Sequence, residues 1–172
     1  MAARPSHPAH RQPIGRWIAA SLAAACFGLA ALTPAPAAAT DKLVRFDGGI
    51  GSQPLRAGGL VNDVFGVAPG GRPWVIDSLK AHVRTDGRIH VDGRGLLLAG
   101  GNNIGGTGDQ SVRARLFCGG TPFDSELVPL EPNGDFRIDG HLNPFPPAVC
   151  NNPVLLIVNA GGAWFAAGIP DR

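Results

Sequence analysis

The sequence predicts an all-β protein, a two-sheet antiparallel β-sandwich of about seven to nine strands preceded by a cleaved N-terminal signal helix. Three observations carry this expectation. Residues 40–172 hold 23 of the 25 Gly and 11 of the 16 Pro, spaced between β-branched and apolar runs, which is how short strands and turns are punctuated. No stretch there repeats apolar residues at i, i+3, i+4 and i+7 over three turns without a Gly or Pro interrupting it, so helices have no amphipathic face to bury. Finally, residues 79–84 alternate strictly between apolar and polar, the period of a half-buried strand.

The first 39 residues read as a secretory signal peptide. A basic, Pro-rich start containing Arg4, Arg11 and Arg16 leads into an apolar run from Trp17 to Leu32. A T-P-A-P break and Ala37-Ala38-Ala39 follow, placing cleavage after Ala39. The rival, a permanent anchor, is disfavoured because sixteen apolar residues fall short of a span of roughly 20. Cys26 follows small residues as in a lipoprotein signal, but the apolar run continues past it, and a leader cysteine is the simpler reading. The mature domain is then 40–172, with no membrane span after cleavage and a secreted, periplasmic or cell-envelope location.

Cleavage also changes the charge. The whole chain has 15 Lys+Arg against 13 Asp+Glu, a net charge of +2. The leader removes three Arg and no acid, so 40–172 carries twelve bases against thirteen acids, a net −1. That excludes a basic-patch nucleic-acid binder, which needs clustered cations to displace counterions from phosphates. It excludes a polybasic membrane-surface protein as well. Arg outnumbers Lys 13 to 2, which fits the abundance of Ala, Gly and Pro as a codon bias.

The hairpin around residue 86 can be registered from its sequence. Leu79, Ala81 and Val83 share a face that Ile89 and Val91 continue after the turn. A two-residue Asp86-Gly87 loop would pair Val83 with His90 and mix apolar with polar side chains. A three-residue loop Thr85-Asp86-Gly87, with Gly87 left-handed, pairs Val83 with Ile89 and Ala81 with Val91 and keeps one face dry. It sets Lys80 opposite Asp92 and His82 opposite His90 on the wet face. The same device recurs, since Val83–Gly93 aligns without gaps to Leu130–Gly140 at an offset of 47. Either an internal duplication or turn chemistry alone explains the match.

Further strands are expected over 43–46, 60–67, 74–76, 112–118 and 126–130. Residues 154–158 and 164–167 are nearly all apolar, which requires burial on both faces or a central place in the sheet. Cys118 and Cys150 are the two cysteines left after cleavage. In an oxidising compartment one disulfide is the default, and a loop of about 33 residues makes it worth roughly 3.5–4 kcal/mol on the chain-entropy model. A metal site would need more ligands nearby, and a nucleophilic thiol would need a His partner.

From Ser111 to Ala160 the order is strand, polar connection, strand, N-G-D-F-R-I-D-G, Pro-rich link and apolar strand. This stretch resembles transthyretin-like and carboxypeptidase-regulatory-like sandwich modules, which implies a fold family and no activity. Over nearly everything after Leu43 the chain is similar to uncharacterised exported bacterial all-β proteins. Its blocks G-G-R-P-W-V-I, G-R-G-L-L-L-A-G-G, S-V-R-A-R-L-F-C-G and G-G-A-W-F-A-A-G-I-P carry that similarity.

Candidate chemistry is sparse. His82 and His90, with cross-strand Cβ atoms about 5 Å apart, are the one pair placed to share a transition metal. His141 or Asp92 would have to complete it, and two solvated imidazoles are the plainer reading. The Gly-rich stretch 99–110 lacks the Lys of a phosphate loop and any strand–helix context. It approaches a calcium nonapeptide at G-G-T-G-D with Asp109 one position early. It is expected to be a flexible loop, with Asn102, Asn103 and Asp109 as binding candidates, because long loops in compact domains are often functional. No G-x-S-x-G, H-E-x-x-H or S-x-x-K occurs. Asp124, Glu126, Asp135 and Asp139 lie near turns or on a wet face with nothing selecting an acid–base pair, and Trp74, Trp164 and Phe165 read as core. The expectation is an exported non-enzymatic module without cofactor, binding an unknown protein or envelope ligand through its loops. The alternative is a small secreted hydrolase or metal-dependent enzyme.

Overall fold

The computed structural model describes residues 41–171, so the expected leader, its expected cleavage site and Cys26 lie outside the described residues. Alternating burial builds most of the strands. These are β1 (Lys42–Gly51), β2 (Trp74–Val75), β3 (Ser78–Arg84), β4 (Arg88–Arg94), β5 (Leu97–Leu98) and β6 (Ser111–Cys118). They continue with β7 (Thr121–Asp124), β8 (Val128–Pro129), β9 (Phe136–His141), β10 (Val154–Asn159) and β11 (Trp164–Pro170). Among the described residues the only helical element is a 3-10 turn at Ala57–Gly59, so the all-β expectation holds.

Nine strands form one antiparallel sheet in the order β7-β6-β10-β11-β1-β3-β4-β9, with β8 also on β6, and β2 pairs β5 in a small second sheet. The large sheet curls until its ends meet. Asp124 at the end of β7 and Asn143 just past β9 exchange backbone hydrogen bonds of 3.1 and 2.8 Å. This joins edges that would otherwise offer unpaired backbone groups. Strand β1 turns the corner, pairing β3 over Lys42–Asp47 and β11 over Phe46–Gly51 with a register shift between Phe46 and Gly49. Gly48 there has φ +102°, and a β-carbon on Gly49 would lie 2.9 Å from Leu79 Cβ. The D-G-G-I-G sequence supplies both the conformation and the clearance.

The β3–β4 hairpin has the register its turn requires, with Val83 opposite Ile89, Ala81 opposite Val91, His82 opposite His90 and Lys80 opposite Asp92. Gly87 has φ +78°. Its N–H donates to Arg84 O at 3.0 Å, and Arg88 N–H donates to Asp86 Oδ1 at 3.0 Å. The second copy of the motif repeats these bonds at the same offset. Gly134 has φ +82° and donates to Glu131 O at 2.8 Å, while Asp135 N–H donates to Asn133 Oδ1 at 3.1 Å. The two copies then lie side by side. β4 pairs β9 with Val91 opposite Ile138, Ile89 opposite Gly140 and Gly93 opposite Phe136, a local two-fold about equivalent residues. The copy is incomplete upstream, where the strand expected over 126–130 shrinks to Val128–Pro129. Pro129 and Pro132 have no N–H to give a ladder.

Strand β10 is buried on both faces, as its continuous apolarity requires. Leu155 and Ile157 enter the main core with Phe46, Leu79, Val91, Leu116 and Ile138. Leu156 and Val158 form a second cluster with Val67, Phe117 and Trp164. Each such side chain contributes roughly 1.5–3 kcal/mol on burial. The cover over this second face is the segment 52–69, and here the strand expected over 60–67 is replaced by an irregular strap. Isolated bridges pair Leu55 with Val61, Val64 with Val67 and Pro69 with Trp164. Phe65 and Gly66 have φ of +48° and +76°, so Val64 and Val67 close a tight turn that no straight strand accommodates. Trp164 Nε1 donates to Asn62 O at 3.0 Å and anchors the strap.

Cys118 and Cys150 form a disulfide with Cα atoms 4.8 Å apart. It ties the end of β6 to the link that enters β10. No helix among the described residues is long and apolar enough to cross a membrane. Both facts are compatible with a place outside the cytoplasm.

Candidate functional site

The Gly-rich stretch 99–110 folds back on its own strand and is held there. Leu98 N–H donates to Gly106 O at 2.9 Å, Gly105 N–H to Leu98 O at 2.8 Å, and Ala99 N–H to Pro73 O at 2.8 Å. Within it, Thr107 is buried. The stretch expected to be a flexible loop is anchored at these points, because closely spaced glycines let the chain bond β5 and its neighbour. The loop forms one wall of a cleft of about 410 Å³.

Opposite it the floor is aromatic. Trp74 on β2 and Phe165 on β11 stack with ring centroids 3.9 Å apart and planes at 15°. Gly70 passes over this pair so closely that a β-carbon would lie 2.8 Å from Trp74 Nε1 and 3.0 Å from the Phe165 ring. A glycine is needed for that approach. The polar wall joins two distant parts of the chain. Asn159 Nδ2 donates to Gln110 Oε1 at 3.0 Å, Asn159 Oδ1 accepts from Ala163 N–H at 2.9 Å, and Gln110 Nε2 donates to Gly108 O at 3.0 Å. These bonds fix both amides while leaving each a second amide proton and a second lone pair. Asn103 and Arg72 complete the polar lining.

Of the binding residues expected from sequence, Asn103 lines the cleft. Asn102 and Asp109 are exposed and fall outside its lining, Asp109 at φ +53° in the next turn. Trp74 and Phe165 are buried as core residues should be, yet they also make the cleft floor. Arg72, Gln110 and Asn159 were missed. A polar residue flanking each of two Gly-rich turns, Gln110 after one and Asn159 before the other, was the available signal, but their meeting across 49 residues is a product of β6 pairing β10.

The wet face of β1, β3, β4 and β9 carries the histidines. Pairing across the strands sets Arg45, His82, His90 and Asp139 in one row. His90 Nδ1 lies 3.9 Å from Asp139 Oδ2. The His82 imidazole is held below its usual pKa by burial first, then by Arg45 and His90. Among the described residues no group of three or more His, Cys, Asp or Glu is placed to hold a metal. Of the residues considered for a third ligand, His141 stands one pair further along the same face, across from Arg88, and Asp92 is bound by arginines. Arg94 Nε and Arg137 Nη2 reach Asp92 at 2.8 and 3.0 Å. They take the carboxylate that Lys80 faces in register, as forked guanidinium donors do. These bonds, Arg94's first, hold the Asp92 carboxyl below its ordinary range. Asp135 is lowered by the Gly95 amide first and by Arg94 after it.

The remaining carboxylates are taken up by arginines or lie in two side recesses, one lined by Asp124 and Glu126 and one by Asp92, Glu131 and Asp135. Asp124 takes a fork from Arg115 at 2.7 and 2.6 Å, Asp135 pairs Arg94 at 2.9 Å, and Glu126 lines a separate recess with Ser125. Comparison with protein-family models, with curated proteins and with solved structures finds no match to this chain.

Proposed function

We propose that this chain is an exported, non-enzymatic β-module that binds a small neutral polyhydroxylated ligand, a saccharide of the cell envelope, in the cleft between the 99–110 loop and the 159–163 turn. The single observation that carries the reading is the cleft's lining, in which fixed amides of Gln110 and Asn159 and the free amide of Asn103 surround a stacked Trp74–Phe165 floor. Amides donate and accept at once, as sugar hydroxyls do, and aromatic rings offer apolar area with a polar tip. The described lining contains no carboxylate, imidazole, hydroxyl or thiol, the groups that acid–base or nucleophilic chemistry uses. Export through the 1–39 leader accounts for the disulfide and places the module in the periplasm or outside the cell. On this reading the curled sheet works as a two-layer sandwich. β6, β7, β10 and β11 face β1, β3, β4 and β9, and inward residues of both sets share one core.

The test is a fluorescence titration of residues 40–172 with neutral oligosaccharides. Saturable change in tryptophan emission is expected, because Trp74 lines the cleft. Asn103→Ala removes one neutral hydrogen-bonding group, worth about 0.5–1.5 kcal/mol, and so weakens binding roughly 2–12-fold. Unchanged emission with every saccharide contradicts the reading, and cleavage of a bound saccharide supports the hydrolase alternative instead.

A further inference from the structure

Beyond the 159–163 turn lies a second recess, of about 540 Å³, whose lining includes Gly66, Val67, Arg113, Arg115 and Gly161. Arg113 and Arg115 are two apart on β6, so both project from its outer face. They stand opposite Val158 and Leu156 of β10, beside the apolar cluster under the strap. Their side chains are only 25% and 21% exposed, so the two charges are partly withdrawn from water, where an unmatched cation is costly.

One carboxylate serves both. Asp124 takes the fork of Arg115, which raises that guanidinium's pKa, and it approaches Arg113 Nη1 only to 3.8 Å. Arg113 Nη2 gives a 3.3 Å bond to Ala160 O, and its Nε is buried without a hydrogen-bond partner. Asp124 and Glu126 line a different recess, on the other side of Arg113. The recess bounded by Gly66, Val67, Ala68 and 160–163 contains two guanidiniums and no carboxylate among its lining residues. A buried donor left unbonded costs about 1–3 kcal/mol, and charge-assisted acceptance by an oxyanion is the strongest remedy.

We propose that this recess is an oxyanion-binding site, taking the carboxylate or phosphate group of a ligand against Arg113 with Arg115 in support. The site lies across the 159–163 turn from the saccharide cleft, shares only Ala163 with it, and is tested independently of it. Inorganic phosphate and acetate serve as probes, each titrated at constant ionic strength against chloride while the arginine Nε–H resonances of residues 40–172 are followed by NMR. Saturable shifts of the Arg113 Nε–H and the Gly161 amide are expected, with an affinity on the order of millimolar. The anion giving the tighter curve identifies which oxyanion the site prefers. Arg113→Gln should weaken binding at least tenfold, Arg113→Lys should retain part of it, and Asp124→Asn, which frees Arg115, should tighten it. If neither anion gives a saturable shift beyond that of chloride, or if Arg113→Gln folds and binds as tightly as the parent, the proposal is overturned. The wild-type titration alone decides the matter should a variant fail to fold.

Discussion

The His82 imidazole lies in a row with Arg45 and His90, faced also by Asp47 and Asp171, and its pKa is lowered from 6.5 by burial before any charge acts. The native state therefore binds the proton less readily than the unfolded chain does. Stability contributed by neutral His82 is intact above 6.5 and is lost as pH falls through the lower native pKa. His82→Gln should flatten the melting temperature between about pH 7.5 and pH 5.5, measured by circular dichroism, whereas an unchanged slope would assign that dependence to another group. Asp92 and Asp135 act in a lower window, since depressed carboxylates stabilise above their ordinary range near 3.8 and fail below it. Turn residues are constrained in a different way. Gly87 and Gly134 share a left-handed conformation, but a β-carbon on Gly134 would lie 2.6 Å from the Leu96 backbone nitrogen, whereas that on Gly87 would meet the movable ring of Phe145. Both Ala variants are strained, by about 1–3 kcal/mol, and in urea unfolding Gly134→Ala should lose more than Gly87→Ala.

At the scale of elements, the parts that were legible are those where local chemistry leaves one answer. The three-residue turn at Thr85-Asp86-Gly87 fixes the register of β3 and β4, because a slip of one residue would turn Leu79, Ala81 and Val83 outward. Strand β10 announces burial on both faces through Val154-Leu155-Leu156-Ile157-Val158. What covers its outer face was not legible. Residues 60–67 have the composition of a strand, and only Phe65 and Gly66 entering left-handed conformation turn them into a strap. No propensity foretells that for a phenylalanine. Leu156→Ala tests this cover. Leu156 is fully buried beneath the strap, and its truncation should cost about 2–5 kcal/mol, as for any large-to-small change in a packed core. A loss near that of an exposed leucine would mean that the strap does not seal this face in solution.

Across the whole molecule, composition indicated the fold class and misdirected any thought of charge. The basic excess of the full chain lies in residues 1–39, and residues 40–172 are near neutral. The cleft was half legible. The Gly-rich loop and Asn103 stood out in the sequence, but Gln110 meets Asn159 only because Val112 to Phe117 of β6 pairs with Asn159 to Val154 of β10. Arg113 and Arg115 alternate with apolar residues along β6, and it is the strap and the 159–163 turn that wall them in. The most direct test of the cleft as the binding site is NMR mapping of a neutral oligosaccharide on residues 40–172. Saturable shifts concentrated at the side-chain amides of Asn103, Gln110 and Asn159 and at the Trp74 indole N–H are expected. Shifts that cluster elsewhere on the domain, or none that saturate, would contradict this assignment.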